Sequence, residues 1–308
     1  MKKQIIILFT GLTLLSSCYD AMNEVPLERM PPEIAFKDSL KVEMFVNELY
    51  VGLNTGIGGY NSFGGGAANQ NSFFDCVTDL GVLSPRGTNT AINSFTGATF
   101  HSGSGGNTDS RWAQVYQYMR KTNVVLEYIH YCEQLSQAKM AQYVGEAKLH
   151  KALLHYEMLK RYGGITIMDD LFAGGNIELP RNTFDECVEY IVRLCEEAAG
   201  GLPLRYPDND YGRLTKGAAL GLKAKVLLYA ASPLFNENPI AGTTEIQRYA
   251  SPDDRRWERA AKAALDVINL RMPNGAPAYE LFPSYERLFF TREGNHEFLI
   301  ARMQGMTN

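Results

Sequence analysis

The amino-acid sequence predicts a mostly α-helical protein, with a tetratricopeptide-like helical repeat scaffold and long irregular loops. Several segments place apolar residues three and four positions apart, which is the spacing of one face of an α-helix. A glycine and alanine pattern that begins at Gly145 recurs at Gly217, close to two units of a roughly 34-residue helical pair. Two alanine-rich helices could also match by chance. The strand signal is thin and falls on Ile165–Met168 and Glu297–Ala301.

Residues 1–17 have the layout of a secretory signal peptide, because two lysines precede an apolar stretch, Ile5–Leu15, and small residues follow it. The stretch is shorter than the roughly 20 residues of a membrane-spanning helix. Leu15-Ser16-Ser17-Cys18 resembles the lipobox of bacterial lipoproteins, so Cys18 is predicted to carry a lipid anchor. The alternative is that Cys18 is an incidental residue of a cleaved signal.

The first helix is predicted to begin near Asp38 or Ser39, with apolar residues at helical spacing from Val42 to Leu53. Residues 54–108 then show no periodicity. They hold twelve of the 28 glycines and seven asparagines, together with six aromatic residues. A solvated linker would not hold so many aromatic residues, and loops of this length in compact proteins are commonly functional. We therefore expect an ordered, functional loop.

Helices are predicted again after this loop. An apolar stripe starts at Trp112, which is expected to lie in the core, and ends at Ile129. The next helix is predicted to run from Ser136 to Tyr162 and to end at Gly163, because glycine readily adopts the left-handed conformation that ends helices.

Three more helices follow in the sequence. Thr183 and Glu186 have the spacing of a capping box, and a further helix is predicted from Thr215 to Ala231. Pro252 is expected at the first position of the last clear helix. The residues of this helix that are predicted to face inward are Trp257, Ala261, Ala264 and Ile268.

The four cysteines after Cys18 are predicted to be buried structural thiols: Cys76, Cys132, Cys187 and Cys195. Cys187 and Cys195 lie eight residues apart on one predicted helix. Their separation of about 12 Å exceeds the ~7 Å that a disulfide can bridge. No C-x-x-C motif occurs, so the sequence does not favour a zinc or redox site.

The charge balance argues against a nucleic-acid partner, because 30 Lys+Arg against 34 Asp+Glu gives a net charge of −4. Motifs for nucleotide binding, serine hydrolysis and zinc proteolysis are absent from the sequence. His150 and His155 diverge on one helix, which favours packing or solvent over metal binding. Asp169 and Asp170 would face opposite ways on a strand, which disfavours glycoside hydrolysis. We predict no enzyme activity, cofactor or metal.

Several short motifs follow one another along the chain after residue 17. In order, they are Cys18-Tyr19-Asp20, Glu24-Val25-Pro26, Arg111-Trp112 with Val115-Tyr116, Asn123-Val124-Val125-Leu126, Glu146-Ala147-Lys148, Arg161-Tyr162-Gly163-Gly164-Ile165, Leu179-Pro180-Arg181-Asn182-Thr183, Gly212-Arg213-Leu214-Thr215-Lys216-Gly217-Ala218-Ala219, Ala224-Lys225-Val226-Leu227-Leu228-Tyr229-Ala230 and Trp257 with Ala260-Ala261. Their order and spacing resemble the N-terminal part of the SusD/RagB family, the surface glycan-binding lipoproteins of Bacteroidetes. The likeness covers nearly all of residues 18–308.

The resemblance implies a lipid-anchored, surface-exposed protein of the outer membrane. Such a protein captures an oligosaccharide without cleaving it and delivers it to a TonB-dependent transporter of the SusC type. The chain is divided into a signal peptide (1–17), an N-terminal tether (18–35), a helical region (36–232) and a region with the last helix and the start of a truncated C-terminal part (233–308). Family members usually run well beyond this point, so the second half is expected to be missing.

The predicted ligand site is the loop 54–108. Aromatic rings stack on the apolar faces of sugars, and amide, carboxylate and guanidinium groups bind sugar hydroxyls. The candidate platforms are Tyr60, Phe63 and Phe73, and the candidate hydroxyl partners are Asn69, Asn71, Asp79 and Arg86. Local packing or turn formation is the alternative role for each. The low charge of the loop predicts a neutral or weakly charged glycan.

Two other functions remain open at this point. A helical-repeat adaptor would use the same loop as a protein interface and would bind no glycan. A surface hydrolase is the third alternative.

Overall fold

The computed structural model describes residues 30–53, 79, 112–171, 178–237, 241–292 and 294–301. Its α-helices are α1 (Pro32–Ala35), α2 (Ser39–Gly52), α3 (Trp112–Tyr128), α4 (Gln137–Tyr162), α5 (Phe184–Gly201), α6 (Lys216–Ala231), α7 (Pro233–Asn236), α8 (Arg255–Ile268) and α9 (Tyr285–Leu288). Short 3₁₀ turns cover Ile129–Tyr131 and Asp208–Asp210. The prediction of a mostly α-helical protein is confirmed.

The described residues form no β-strand beyond an isolated bridge between Arg271 and Pro277. The two segments with strand signal, 165–168 and 297–301, are irregular. Side chains satisfy the backbone of the first segment: the N–H of Ile165 donates to Cys187 Sγ at 3.3 Å, and the N–H of Ile167 donates to Asn182 Oδ1 at 3.0 Å. These backbone N–H groups are therefore bonded without a neighbouring strand.

Side-chain caps place the helix ends close to the predicted positions. Ser136 accepts the N–H of Lys139 at the start of α4, and α4 ends at Gly163, whose φ is 71°. Thr183 and Glu186 form the predicted capping box at the start of α5. The caps at Ser136 and Thr183 depend on hydrogen bonds between residues three positions apart, which is why sequence patterns locate them.

The predicted start and inward face of α8 are wrong. The helix begins at Arg255, because the backbone of Asp253 is already bonded to the Asn236 side chain, with both bonds at 2.9 Å. Ala260 and Ala263 are buried, whereas Trp257 is 44% exposed and Ile268 is 62% exposed. The other two predicted inward residues, at positions 261 and 264, are exposed as well. The face that packs on α6 is therefore the narrow alanine face.

Trp112 is also less buried than predicted. It is 37% exposed, and its ring packs against Tyr116 and Tyr162 with centroids 5.1 Å apart in both pairs. Burial of the α3 stripe begins one turn later, at Val115 and Met119, which are each 1% exposed. The indole covers the end of α4 and does not enter the core.

Neighbouring helices pack in chain order, α4 against α5, α5 against α6 and α6 against α8. Gly145 lies where a Cβ would come within 3.1 Å of the Ala198 carbonyl oxygen, and Gly201 lies directly against the Ala141 backbone. These glycines let α4 and α5 approach closely, as expected for tetratricopeptide-like pairs. No helix in the described ranges has the length and apolarity needed to span a membrane.

Candidate functional site

Most of the sequence-predicted ligand residues lie outside the described residues. This holds for Tyr60, Phe63, Asn69, Asn71, Phe73 and Arg86, and also for the predicted lipid-anchor residue Cys18. Asp79 is described and is exposed. The assembly of the loop residues into one site therefore stays a prediction.

The two helices that flank the loop meet at an aromatic contact. Gly52 ends α2, and a Cβ at this position would overlap the ring of Tyr118 on α3. At the start of α3, the Trp112 ring meets Tyr162 edge-on, with an interplanar angle of 88°. The described helices on either side of the loop, α2 and α3, therefore pack on each other.

A separate cleft lies between the segment that precedes α6 and the segment that follows α8. Its volume is about 580 Å³. The residues that line it are Leu204, Arg205, Tyr206, Asn209, Tyr211, Gly212, Arg213, Thr215, Tyr279, Arg292, Gly294, Asn295, His296, Phe298, Leu299 and Ala301. A volume of this size with aromatic walls and a few polar groups is typical of small-molecule sites.

The first wall of the cleft is held by a buried carboxylate on α4. Glu146 is fully buried and accepts hydrogen bonds from Tyr50 (2.9 Å), Tyr206 (3.2 Å) and Arg213 (2.9 Å). Burial, and then the negative charge of Glu146, raise the pKa of Tyr206 well above its usual range. Tyr206 therefore stays protonated and donates. The network fixes segment 204–215 on the helical scaffold.

The second wall of the cleft is held by Tyr279 and the backbone near it. The Tyr279 hydroxyl lies 2.9 Å from Thr215 Oγ1, and burial raises its pKa. Its ring rests on Gly217, where a Cβ would overlap the ring atoms. One glycine of the sequence repeat is thus required for a close approach to this wall. Arg205 joins the two walls, because its Nη2 donates to the Ala278 carbonyl oxygen at 2.7 Å.

Aromatic groups and an arginine line the mouth of the cleft. The Arg292 guanidinium lies 4.6 Å from the centroid of the Tyr211 ring, a cation–π distance. Gly212 has a φ of 95° and turns the chain after Tyr211. Phe298 contributes a further partly exposed ring from the opposite segment. Flat apolar surfaces and hydrogen-bonding groups therefore occur side by side.

Asp169 was a sequence candidate for a hydrolytic carboxylate. In the structure it forms an ion pair with Lys151. Its carboxylate accepts from Lys151 at 2.5 Å and from the Tyr190 hydroxyl. Burial acts to raise the pKa of Asp169, but the hydrogen bonds from Lys151 and Tyr190 outweigh it, so the pKa lies below its usual range. A carboxylate that is held ionised by a lysine and a tyrosine is a poor proton donor for glycoside hydrolysis.

The histidines on α4 face the interior of the helical layer. His150 and His155 are 1% and 0% exposed, and burial lowers their pKa values to about 3 and about 4. The described part of the chain holds no cluster of three metal-ligating side chains. Among the cysteines, Cys132, Cys187 and Cys195 are free and buried as predicted, and Cys76 lies outside the described residues.

Comparison with known proteins shows the family of this chain. Residues 27–228 match the family model SusD-like_3, described as starch-binding and associating with the outer membrane. The chain belongs to the SusD-like family. The predicted resemblance to SusD/RagB proteins is thereby confirmed, and the family is associated with the outer membrane of Bacteroidetes.

Individual SusD-like proteins are similar over part of their length. A SusD-like protein of Bacteroides ovatus is 25% identical over 201 residues, which are 64% of this chain and 33% of the relative. A crystal structure of a SusD-like protein from Bacteroides fragilis superimposes with a TM-score of 0.57 at 22% identity, covering 92% of this chain and 48% of that one. A laminarin-binding SusD-like protein superimposes with a TM-score of 0.60 at 17% identity, covering 86% and 51%. The chain spans between a third and about half of these relatives.

Sequence reasoning did not find the cleft between segments 204–215 and 279–301. Its two walls are more than 60 residues apart in the chain, and within them the sequence shows only the thin strand signal of Glu297–Ala301. The motif Gly212-Arg213-Leu214-Thr215 was the one available signal. In the structure these residues hold the turn, the Glu146 network and the cap of α6.

Proposed function

We propose that this SusD-like protein is a surface-exposed, lipid-anchored protein of the outer membrane that captures an oligosaccharide without cleaving it. In this proposal it delivers the sugar to a TonB-dependent transporter of the SusC type. The observation that carries the proposal is the match of residues 27–228 to a starch-binding, outer-membrane-associated family on a fold shared with a laminarin-binding protein.

The arrangement of side chains supports binding in preference to catalysis. The carboxylate pair that the sequence offers for hydrolysis is Asp169 and Asp170. Asp169 accepts hydrogen bonds from Lys151 and Tyr190. The loop 54–108 and the cleft both offer aromatic residues beside amide and guanidinium groups. Sugars bind to such surfaces through ring stacking and hydroxyl hydrogen bonds.

The test is a glycan array probed with the purified full chain in mild detergent, followed by titration calorimetry with each glycan that is bound. We expect saturable binding to at least one oligosaccharide, and chromatography of the incubated glycan should show no product. Release of shorter products would instead support a hydrolase. Binding to no glycan, with specific capture of a protein partner, would support the adaptor alternative and overturn the proposal.

Delivery to a transporter is tested separately. We expect the tagged full chain to co-purify from outer membranes with a TonB-dependent transporter encoded beside it. Co-purification that persists after the membrane is solubilised in a second detergent would support a stable complex. Membranes in which the protein is abundant but the transporter is never recovered with it would contradict delivery by direct contact.

A further inference from the structure

The described lining of the cleft between segments 204–215 and 279–301 is rich in basic side chains. Three arginines, Arg205, Arg213 and Arg292, are among the described lining residues, together with His296, and no carboxylate is among them. A ligand in the cleft would therefore meet cations, which is the opposite of what the nearly uncharged loop 54–108 predicts. The cations differ in how far neighbouring groups neutralise them.

Arg213 is already neutralised by the scaffold. Three carboxylates lie close to its guanidinium: Glu146 at 2.9 Å, Asp210 at 3.0 Å and Glu43 at 3.2 Å. Its side chain is 10% exposed. Arg213 therefore holds the wall in place. The three carboxylates offset its positive charge, so it attracts an anionic ligand only weakly.

Arg205 is placed differently. One of its terminal nitrogens donates to the Ala278 carbonyl oxygen, and among the described residues it forms no ion pair with a carboxylate. His296 lies near it: burial, and then the positive charge of Arg205, lower the pKa of His296. Glu280 faces His296 at 3.8 Å from outside the lining. Arg205 thus presents a positive charge to the cleft, and a planar guanidinium suits carboxylate and sulfate oxygens.

Aromatic rings lie on the same walls as this charge. Tyr211 carries the Arg292 guanidinium near its ring, Tyr279 rests on Gly217, and Phe298 lies on the opposite segment. A ring that stacks on a sugar excludes water and strengthens a nearby ion pair. The cleft therefore combines the two elements that a charged sugar requires.

We propose that this cleft binds an anionic oligosaccharide, with Arg205 paired to a carboxylate or sulfate group of the sugar and Tyr211 stacked against a sugar ring. The proposal rests on the proposed glycan-binding function and adds to it the location of a binding site and the charge of the sugar. The ligand charge proposed for the cleft differs from that expected for the loop 54–108, which is a neutral or weakly charged glycan.

The probes are trigalacturonate, its fully methyl-esterified form and a sulfated galactan trisaccharide, titrated into the purified full chain at low salt. We expect at least one anionic probe to bind, and the esterified form to bind at least about tenfold more weakly than the free acid if the carboxylate is the group recognised. Binding of the sulfated probe alone would assign the site to sulfate esters. Added NaCl should weaken binding of the anionic probe.

Four variants link the binding to the cleft. Arg205→Gln should abolish the preference for the anionic probe, Arg205→Lys should retain part of it, and Tyr211→Ala should weaken binding several-fold. Arg271→Gln is the control, because Arg271 lies outside the cleft lining and, like Arg205, is bonded to backbone carbonyls, those of Ile268 and Leu270. It should bind as the unmodified chain does. Circular dichroism confirms that each variant is folded.

Three results would overturn the inference. They are equal binding of acid and ester with no binding of the sulfated probe, failure of both anionic probes to bind, and an unchanged anionic preference in folded Arg205→Gln. Binding of neutral glycans that is lost in Tyr60→Ala but kept in Arg205→Gln and Tyr211→Ala would leave the proposed function standing and locate binding in the loop. Binding of no glycan of either charge would overturn both proposals.

Discussion

Buried charge shows its effect most clearly at Glu146. Its carboxylate is fully buried and depends on Tyr50, Tyr206, Gln142 and Arg213 for hydrogen bonds. The burial of a carboxylate is tolerated only where such partners replace water. The ion pair between Glu146 and Arg213 therefore ties segment 204–215 to α4. The stability of the protein is expected to fall when either residue is replaced.

Replacing Arg213 by Gln should lower the free energy of unfolding by about 3 kcal/mol, because Glu146 would remain buried without its cation. Urea denaturation measures the change. The control is Arg193→Gln, which removes half-exposed contacts with Glu197 at 3.1 Å and Asp169 at 4.0 Å and should cost less than about 1 kcal/mol. Equal effects of the two substitutions would contradict the importance of the buried network.

Titration of the α4 histidines should make stability depend on pH. Burial lowers the folded-state pKa of His150 to about 3, so only the unfolded chain binds a proton there between pH 6.5 and that value. The stabilisation is present above pH 6.5 and is lost as the pH falls, by up to ~1.4 kcal/mol per pH unit for each such histidine. His155 adds to the effect in the same direction.

We expect His150→Leu to make the loss of stability between pH 7 and pH 5 shallower than in the unmodified chain. Urea midpoints at pH 7, 6 and 5 provide the measurement, and the difference between the two chains removes the contribution of other groups. His130→Leu, at an exposed histidine, is the control for the change of residue type. Parallel slopes for all three chains would show that His150 gains a proton in the folded state.

At the scale of elements, the spacing between α4 and α5 depends on single glycines. Gly201 lies against the Ala141 backbone, whereas its neighbour Gly200 has no atom within 4 Å of an added Cβ. Both residues belong to the last turn of α5. Only Gly201 contacts α4, while both glycines occupy the same turn of the helix. Substituting each in turn therefore separates the effect of helix packing from that of helix propensity.

Gly201→Ala should destabilise the protein by ~1–3 kcal/mol, since the two backbones must separate to admit a methyl group. Gly200→Ala should be neutral or stabilising by up to ~1 kcal/mol, because alanine has the higher helix propensity. Thermal unfolding of both variants checks the pair. A loss of the same size in each would mean that helix packing is not the cause.

The loop 54–108 is the element whose binding role stays a prediction. Removing one ring by Tyr60→Ala, Phe63→Ala or Phe73→Ala should weaken binding of a neutral glycan several-fold to tens of fold, because an aromatic contact contributes ~1 kcal/mol or more. The melting temperature should not change. Tyr285→Ala is the control, since Tyr285 is 80% exposed and lies outside the cleft lining. If all three loop variants bind as well as this control, the loop is not the platform.

For the whole molecule, the central expectation is attachment to the membrane through Cys18. Cys18→Ala should move the protein from the membrane fraction to the soluble fraction, because acyl chains would contribute ~0.8 kcal/mol per buried CH₂. Fractionation followed by immunoblotting checks it. Retention of the variant in the membrane fraction would show that another feature holds the protein there. The predicted domain division at residues 17, 35 and 232 stays a prediction beside it.

The sequence alone determined the helical class, the caps at Ser136, Thr183 and Thr215, the helix end at Gly163 and the likeness to SusD/RagB proteins. These features depend on residues a few positions apart or on the order of motifs, so one chain displays them directly. The inward face of α8 and the exposure of Trp112 were mispredicted, because burial is decided by which helix lies opposite. The Glu146 network and the cleft around Arg205 were decided only by the tertiary structure. Their members come from α2, α4 and the segments around residues 210 and 290, and only packing in three dimensions brings such distant residues within hydrogen-bonding reach.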